Sequence, residues 1–178
     1  MEVIETEIEG LKIIRPNIYR DNRGYFLESY SQKKFEEEVC KTVFVQDNES
    51  SSKYGVLRGL HYQKPPFAQA KLVRVVKGKV LDIAVDIRKD SSSYGKHISI
   101  ELSDDNKTQV FIPRGFAHGF IVLSKEAICQ YKCDNYYSPS HAVGLKWDDE
   151  QLNINWILPV EDIILSEKDK INPPFIQL

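Results

Sequence analysis

Lys71-Leu-Val-Arg-Val-Val-Lys-Gly-Lys-Val-Leu-Asp-Ile-Ala-Val-Asp-Ile-Arg88 is two β-rich runs joined at Lys77-Gly78-Lys79. Branched aliphatic residues dominate both runs, which favours strand over helix. A glycine between two lysines predicts a tight hairpin turn. In the second run Leu81, Ile83, Val85 and Ile87 share one strongly apolar face, and Val80, Asp82, Ala84 and Asp86 share the other. If the first face is core, both carboxylates point to solvent or to a barrel lumen; periodicity leaves that choice open.

The same period of two extends outward. His97-Ile-Ser-Ile-Glu-Leu102 alternates, Ser103-Asp-Asp-Asn106 is a turn cluster, and Val110–Ile112 is another strand. Gly119–Leu123 and Ala127–Cys133 follow as strands around the turn Ser124-Lys-Glu126. Leu11–Ile14, Gly24–Tyr30 and Val43–Gln46 also fit strands, and Gln32–Cys40 fits one helix with Ser31 as its N-cap. From about Gln151 the chain changes character, with Trp156, Pro159, Pro173 and Pro174, and reads as an irregular or partly helical segment laid against the strands. Many short strands with little helix predict a mainly β fold, an antiparallel jelly-roll barrel with short flanking helices. Residues 1–178 read as a single domain, with no linker, repeat or low-complexity stretch.

The composition is that of a soluble globular protein: 42% hydrophobic and 28% charged residues. A net charge of −2 argues against a general nucleic-acid binder. Cys40, Cys129 and Cys133 have neither disulfide nor zinc-site spacing and read as reduced thiols packed as small apolar groups. No secretory signal or membrane-length apolar run is present, so the expected compartment is the cytoplasm.

Three stretches carry candidate chemistry. In Arg58-Gly-Leu-His-Tyr-Gln63, strict alternation would put Arg58 and His61 on opposite faces, and a bulge at Gly59 would bring them to one side. In Cys129-Gln-Tyr-Lys-Cys133, Tyr131 shares a side with two small thiols, so its phenol points inward, either as a satisfied core hydroxyl or as an acid. Pro113-Arg-Gly-Phe-Ala-His118 has the P-x-G-x-x-H spacing of the second cupin signature. The first cupin signature needs His-x-His, and here His61-Tyr-Gln63 stands instead, which weighs against a metal centre and against a metal-dependent oxygenase. Lys71 shares a side with Val73 and Val75; it is either a solvated strand end or an inward cation.

Taken together, Asp21-Asn-Arg-Gly-Tyr-Phe-Leu-Glu28, Phe44-Val-Gln-Asp-Asn48, Gly55-Val-Leu-Arg-Gly-Leu-His-Tyr-Gln63, Lys71-Leu-Val-Arg74, Ile112–Phe120, Tyr131-Lys-Cys133 and Leu165-Ser-Glu-Lys-Asp169 occur in order along nearly the whole chain. In this the chain resembles the dTDP-4-dehydrorhamnose 3,5-epimerase family, metal-free cupin enzymes that act on dTDP-4-dehydro-6-deoxy-D-glucose. The resemblance implies no cofactor and no metal. It implies His61 as the general base, Asp169 as the carboxylate orienting its ring, Tyr131 as the opposing acid and Lys71 as the cation near an enolate oxygen. It further implies substrate contacts from Arg23, Phe26, Glu28, Gln46, Asp47, Asn48, Arg58, His118, Tyr137 and Lys168, with Tyr137 at the thymine-stacking position. The family is a homodimer in which residues 23–28 reach the partner's site.

The chain departs from the family's pattern at two places. Ala142 stands where the family usually has an acidic residue, and Ser51 stands where many relatives carry arginine. The resemblance implies double epimerisation at C3 and C5 as the function. The alternatives are a single-carbon epimerase of a related dTDP-4-keto sugar and a non-catalytic sugar-nucleotide-binding cupin.

Overall fold

The computed structural model describes residues 1–177. The strands are β1 (Glu2–Glu5), β2 (Lys12–Arg15), β3 (Ile18–Asp21), β4 (Gly24–Leu27), β5 (Gln46–Lys53), β6 (Leu57–Gln63), β7 (Lys71–Lys77), β8 (Lys79–Asp86), β9 (His97–Ser103), β10 (Gln109–Ile112), β11 (Phe116–Val122), β12 (Glu126–Cys133) and β13 (Ala142–Gly144). Two short helices accompany them, α1 (Gln32–Glu38) and α2 (Glu167–Lys170). A six-stranded sheet runs β1-β2-β10-β7-β12-β5, a five-stranded sheet runs β13-β6-β11-β8-β9, and β3-β4 form a separate hairpin. The fold is the mainly β, antiparallel, cupin-like jelly roll that the short alternating strands predict.

Both faces of β8 are buried, which accounts for its nearly unbroken apolar run. Val80 and Ala84 join Val73, Val75, Val110, Phe120 and Cys129 in the layer between the sheets. Leu81, Ile83 and Val85 face the other way and are covered by Leu152, Trp156 and Phe175 of the C-terminal segment. Each such side chain taken out of water contributes about 1.5–3 kcal/mol. The segment after Gln151 is thus a lid over the outer face of the five-stranded sheet. Trp156 Nε1 donates to the Trp147 carbonyl at 2.8 Å, and Asp149 Oδ2 accepts the Phe175 N–H at 2.8 Å. A third cluster packs Phe35 of α1 on Ile14, Leu72 and Phe111 outside the six-stranded sheet.

Lys77-Gly78-Lys79 is a corner and not a hairpin, because β7 and β8 belong to different sheets. Both runs bury apolar side chains in the layer between the sheets, so crossing over is favoured above pairing side by side. Gly78 has φ +77°, and a Cβ there would stand 2.0 Å from the Glu126 carbonyl in the adjacent corner from β11 to β12. Several expected boundaries shift, among them the strand expected from Gly119, which begins at Phe116. The strand expected at 24–30 ends at Leu27, the helix ends at Glu38, and the strand expected at 43–46 instead begins at Gln46 and runs on through polar residues to Lys53. Ser31 occupies the N-cap position of α1, but its hydroxyl makes no capping hydrogen bond.

Asp82 and Asp86 are both buried. Asp86 accepts from Arg88 Nε at 2.9 Å and from the Ser91 and Ser93 hydroxyls at 2.6 Å each. Burial pushes this carboxyl up, but those donors outweigh it and hold it well below the ordinary range. Asp82 has a different partner, at the floor of the cavity described next.

Candidate active site

The register between β6 and β11 slips by one residue: His61 pairs with His118, whereas Arg58 pairs with Phe120. Three steps on β6 therefore match two on β11, and Arg58 and His61 both reach the same cavity. Glycine at position 59 permits this. A Cβ there would lie 2.6 Å from Gly119 Cα, so the two strands approach where neither residue has a side chain.

The cavity, of about 710 Å³, opens between the sheets. That is room for a ligand of sugar-nucleotide size. On its five-stranded wall, His61 Nε2 meets Asp169 Oδ1 at 2.5 Å. Asp169 is only 4% exposed and sits in α2, where Ser166 Oγ caps the helix by accepting the Asp169 N–H at 3.1 Å. Burial pushes the Asp169 carboxyl up, but interactions with His61, Ser166 and Asn172 outweigh it and leave it below the usual carboxylate range. An ionised carboxylate at Nε2 favours the tautomer with its proton on that nitrogen, leaving Nδ1 as the basic one.

The opposite wall supplies Tyr131, from β12 of the six-stranded sheet, on the same side as buried Cys129 and Cys133. Burial raises the Tyr131 phenol, so it keeps its proton near neutrality. The same cause pushes the Cys129 thiol up to about 12, which leaves it an unreactive packing group. Lys71 points inward, its Nζ 6.0 Å from the Tyr131 ring centroid. Burial pushes its ammonium down, with Cys133 and Asp82 pulling the other way. On the floor, His118 Nε2 meets Asp82 Oδ2 at 2.8 Å. Burial pushes the His118 imidazole down further than Asp82 raises it, so it is a neutral ring at physiological pH.

Gln46 and Asn48 project inward from β5, and Arg58, Lys168 and Tyr137 line the wider part of the same cavity. The Gln46 amide accepts the Tyr137 N–H at 3.1 Å and donates to Asn48 Oδ1 at 2.9 Å. The structure thus brings together ten of the expected residues: His61, Asp169, Tyr131, Lys71, His118, Gln46, Asn48, Arg58, Tyr137 and Lys168. Four lie elsewhere in this chain. Alternation along β5 turns Asp47 to the outer face, where it pairs with Lys132 at 2.9 Å. Arg23 pairs with Asp21 at 2.6 Å, Glu28 pairs with Lys34 at 2.7 Å, and Phe26 is 68% exposed on the β3-β4 hairpin.

Ser50, Gln63, Gln69 and Phe120 line the cavity without having been singled out in the sequence. Ser50 was within reach, because it continues the alternation from Gln46 and Asn48. Among the described residues no three His, Cys, Asp or Glu side chains converge in a metal-binding group. No helix among them is long and apolar enough to cross a membrane.

The family model described as dTDP-4-dehydrorhamnose 3,5-epimerase matches residues 5–177. The chain belongs to the dTDP-4-dehydrorhamnose 3,5-epimerase family. It is 52% identical over 177 residues to the dTDP-4-dehydrorhamnose 3,5-epimerase of Shigella flexneri, covering 99% of this chain and 97% of that one. A solved dTDP-4-dehydrorhamnose 3,5-epimerase from Elizabethkingia anophelis is 50% identical and superposes with a TM-score of 0.95, over 99% of this chain and 97% of that one. A dTDP-6-deoxy-D-glucose-3,5-epimerase from Legionella pneumophila, solved in complex with dTDP-4-keto-L-rhamnose, is 47% identical with a TM-score of 0.96, over 99% and 94%. At the two departures from the epimerase pattern, Ala142 lines the cavity opposite Gln63 in the β13–β6 pair, and the Ser51 carbonyl accepts from Arg58 Nη2 at 3.4 Å.

Proposed function

We propose that the protein is a dTDP-4-dehydrorhamnose 3,5-epimerase that converts dTDP-4-dehydro-6-deoxy-D-glucose to dTDP-4-dehydro-L-rhamnose. The observation that carries this reading is one cavity with a carboxylate-backed imidazole on one sheet and a protonated phenol on the other. The C4 ketone makes the hydrogens on C3 and C5 acidic. His61 Nδ1 takes the proton, and the electron pair moves onto the ketone oxygen as an enolate. Lys71 stabilises that oxyanion. Tyr131 then delivers a proton to the opposite face of the same carbon, which inverts it. Solvent takes the proton from His61 and returns one to Tyr131, and repetition at the second carbon completes the reaction.

Asp169 keeps the imidazole turned and offsets its charge once it is protonated. Arg58 and Lys168 supply positive charge for the pyrophosphate, Arg58 with a guanidinium fork suited to two phosphate oxygens. Tyr137 offers a face to the thymine ring, and Gln46, Asn48 and His118 offer polar contacts to the bound nucleotide sugar.

Residues 1–178 act as one cupin-like epimerase domain, with the cytoplasm as its compartment. The working form is a homodimer in which Arg23, Phe26 and Glu28 complete the partner's site. Support comes from the β3-β4 hairpin, which pairs with no other strand among the described residues and exposes Tyr19, Tyr25 and Phe26. The test is the NMR identification of the product formed from dTDP-4-dehydro-6-deoxy-D-glucose. The expected product is inverted at C3 and C5; a product inverted at one carbon, or unchanged substrate, overturns the proposal.

A further inference from the structure

Across the β13–β6 pair, the residue directly opposite His61 is Gly144. Cross-strand partners project to the same side of a sheet, so a side chain at 144 would crowd the base. That space is filled from elsewhere. A Cβ on Gly144 would stand 2.2 Å from Asn172 Oδ1 and 2.3 Å from its Cγ and Nδ2. The Asn172 amide therefore occupies the side-chain position that β13 leaves vacant beside His61.

The segment that delivers it is anchored on both sides. Three residues earlier, Asp169 is held in α2 by the Ser166 cap. One residue later, the Pro173 carbonyl accepts the Lys146 N–H at 2.8 Å. The amide is close enough to favour the charged form of the Asp169 carboxylate, yet its buried Nδ2 makes no fully formed hydrogen bond among the described residues. A buried donor without a partner is costly. His61 takes Asp169 Oδ1.

We propose that Asn172, seated in the gap at Gly144, is a positioning residue that donates to Asp169 and fixes the carboxylate against His61. It touches no substrate; it acts through Asp169 on the ring. The inference rests on the epimerase reading for its effect on rate but not for its effect on the imidazole. Outer partners that orient a functional histidine elsewhere contribute roughly 10–100-fold to affinity or activity.

The experiment is NMR observation of the His61 ring Nε2–H in the full-length wild type, Asn172→Ala and Gly144→Ala, with steady-state kinetics on dTDP-4-dehydro-6-deoxy-D-glucose alongside. Asn172→Ala removes the donor, and Gly144→Ala evicts it by adding the methyl group that the amide displaces. Both variants are expected to move the His61 Nε2–H resonance upfield and broaden it through faster exchange with solvent, because the carboxylate that meets this nitrogen is no longer held in place. Both are expected to lower kcat about tenfold with KM little changed. If Gly144→Ala fails to fold, Asn172→Ala decides alone. A His61 Nε2–H resonance that stays unmoved overturns the assignment, as does a rise in KM at constant kcat. A wild type that leaves the sugar unchanged defeats the functional reading instead, and the ring resonance still judges Asn172.

Discussion

His61 and Asp169 lie 108 residues apart in the chain and 2.5 Å apart in the fold. The contact joins β6 of the five-stranded sheet to α2 in the C-terminal segment. The segment that covers Leu81 and Ile83 on the outer face thus also brings the carboxylate to the imidazole. A parallel bridge between Val56 and Ile164, with Leu57 N–H donating to the Ile164 carbonyl at 2.9 Å, ties that segment to the start of β6. Stability of the outer layer and geometry of the base are therefore linked.

Replacing the base should stop proton transfer and spare binding. For His61→Ala we expect loss of hydrogen exchange at both C3 and C5 by about 10²–10⁴-fold, with dTDP still bound. Mass spectrometry of sugar incubated in deuterium oxide reads the first quantity and calorimetry the second. Exchange retained at either carbon would remove His61 from the base role there.

Tyr131→Phe separates the two halves of the reaction. His61 remains able to take a proton, so exchange into recovered substrate should persist while product formation falls. The ratio of exchange to product in deuterium oxide should rise at least tenfold. Equal loss of both would leave the phenol without a separate acid role.

The close approach of β6 and β11 sets the positions of Arg58 and His61. A Cβ on Gly119 would lie 2.8 Å from the Arg58 carbonyl and 3.0 Å from Gly59 Cα. Gly119→Ala should therefore destabilise the fold by about 1–3 kcal/mol, the usual cost of overpacking. Activity should also fall in the protein that remains folded. Urea unfolding measures the first effect, and an unchanged midpoint would mean that the bulge relaxes freely.

Asp169 also carries a pH signature. Its carboxyl is held below the ordinary value of 3.8 in the folded protein. Its stabilising contribution is therefore fully present above about pH 5 and lost as pH falls through the ordinary value and then the lowered one. The urea midpoints of wild type and Asp169→Asn should differ most near neutrality and draw together as pH falls below 3.8. A gap that widens on acidification contradicts the assignment.

Sequence pattern showed much of this directly. Alternation in β7, β8 and β12 identified strands and correctly turned Tyr131 inward with Cys129 and Cys133. Gly59 signalled the bulge that brings Arg58 to His61, and the spacing from Pro113 to His118 signalled a histidine inside the barrel. What pattern hid has physical reasons. β5 reads Gln-Asp-Asn-Glu-Ser-Ser-Ser-Lys, unlike a core strand, because its inner face lines a cavity with polar side chains. The corner at Gly78 looks like a hairpin because periodicity reports which face a residue occupies and not which strand lies beside it. Asn172 had no local signal at all: its place follows from a missing side chain at Gly144, visible only once the tail is folded back.

Double epimerisation requires proton removal from both carbons that flank the ketone. The most direct test is the wild-type reaction with dTDP-4-dehydro-6-deoxy-D-glucose in deuterium oxide, with the label located by mass spectrometry and NMR. Deuterium is expected at both C3 and C5 of the product, each with inverted configuration. Label at one carbon only, or at neither, would contradict it.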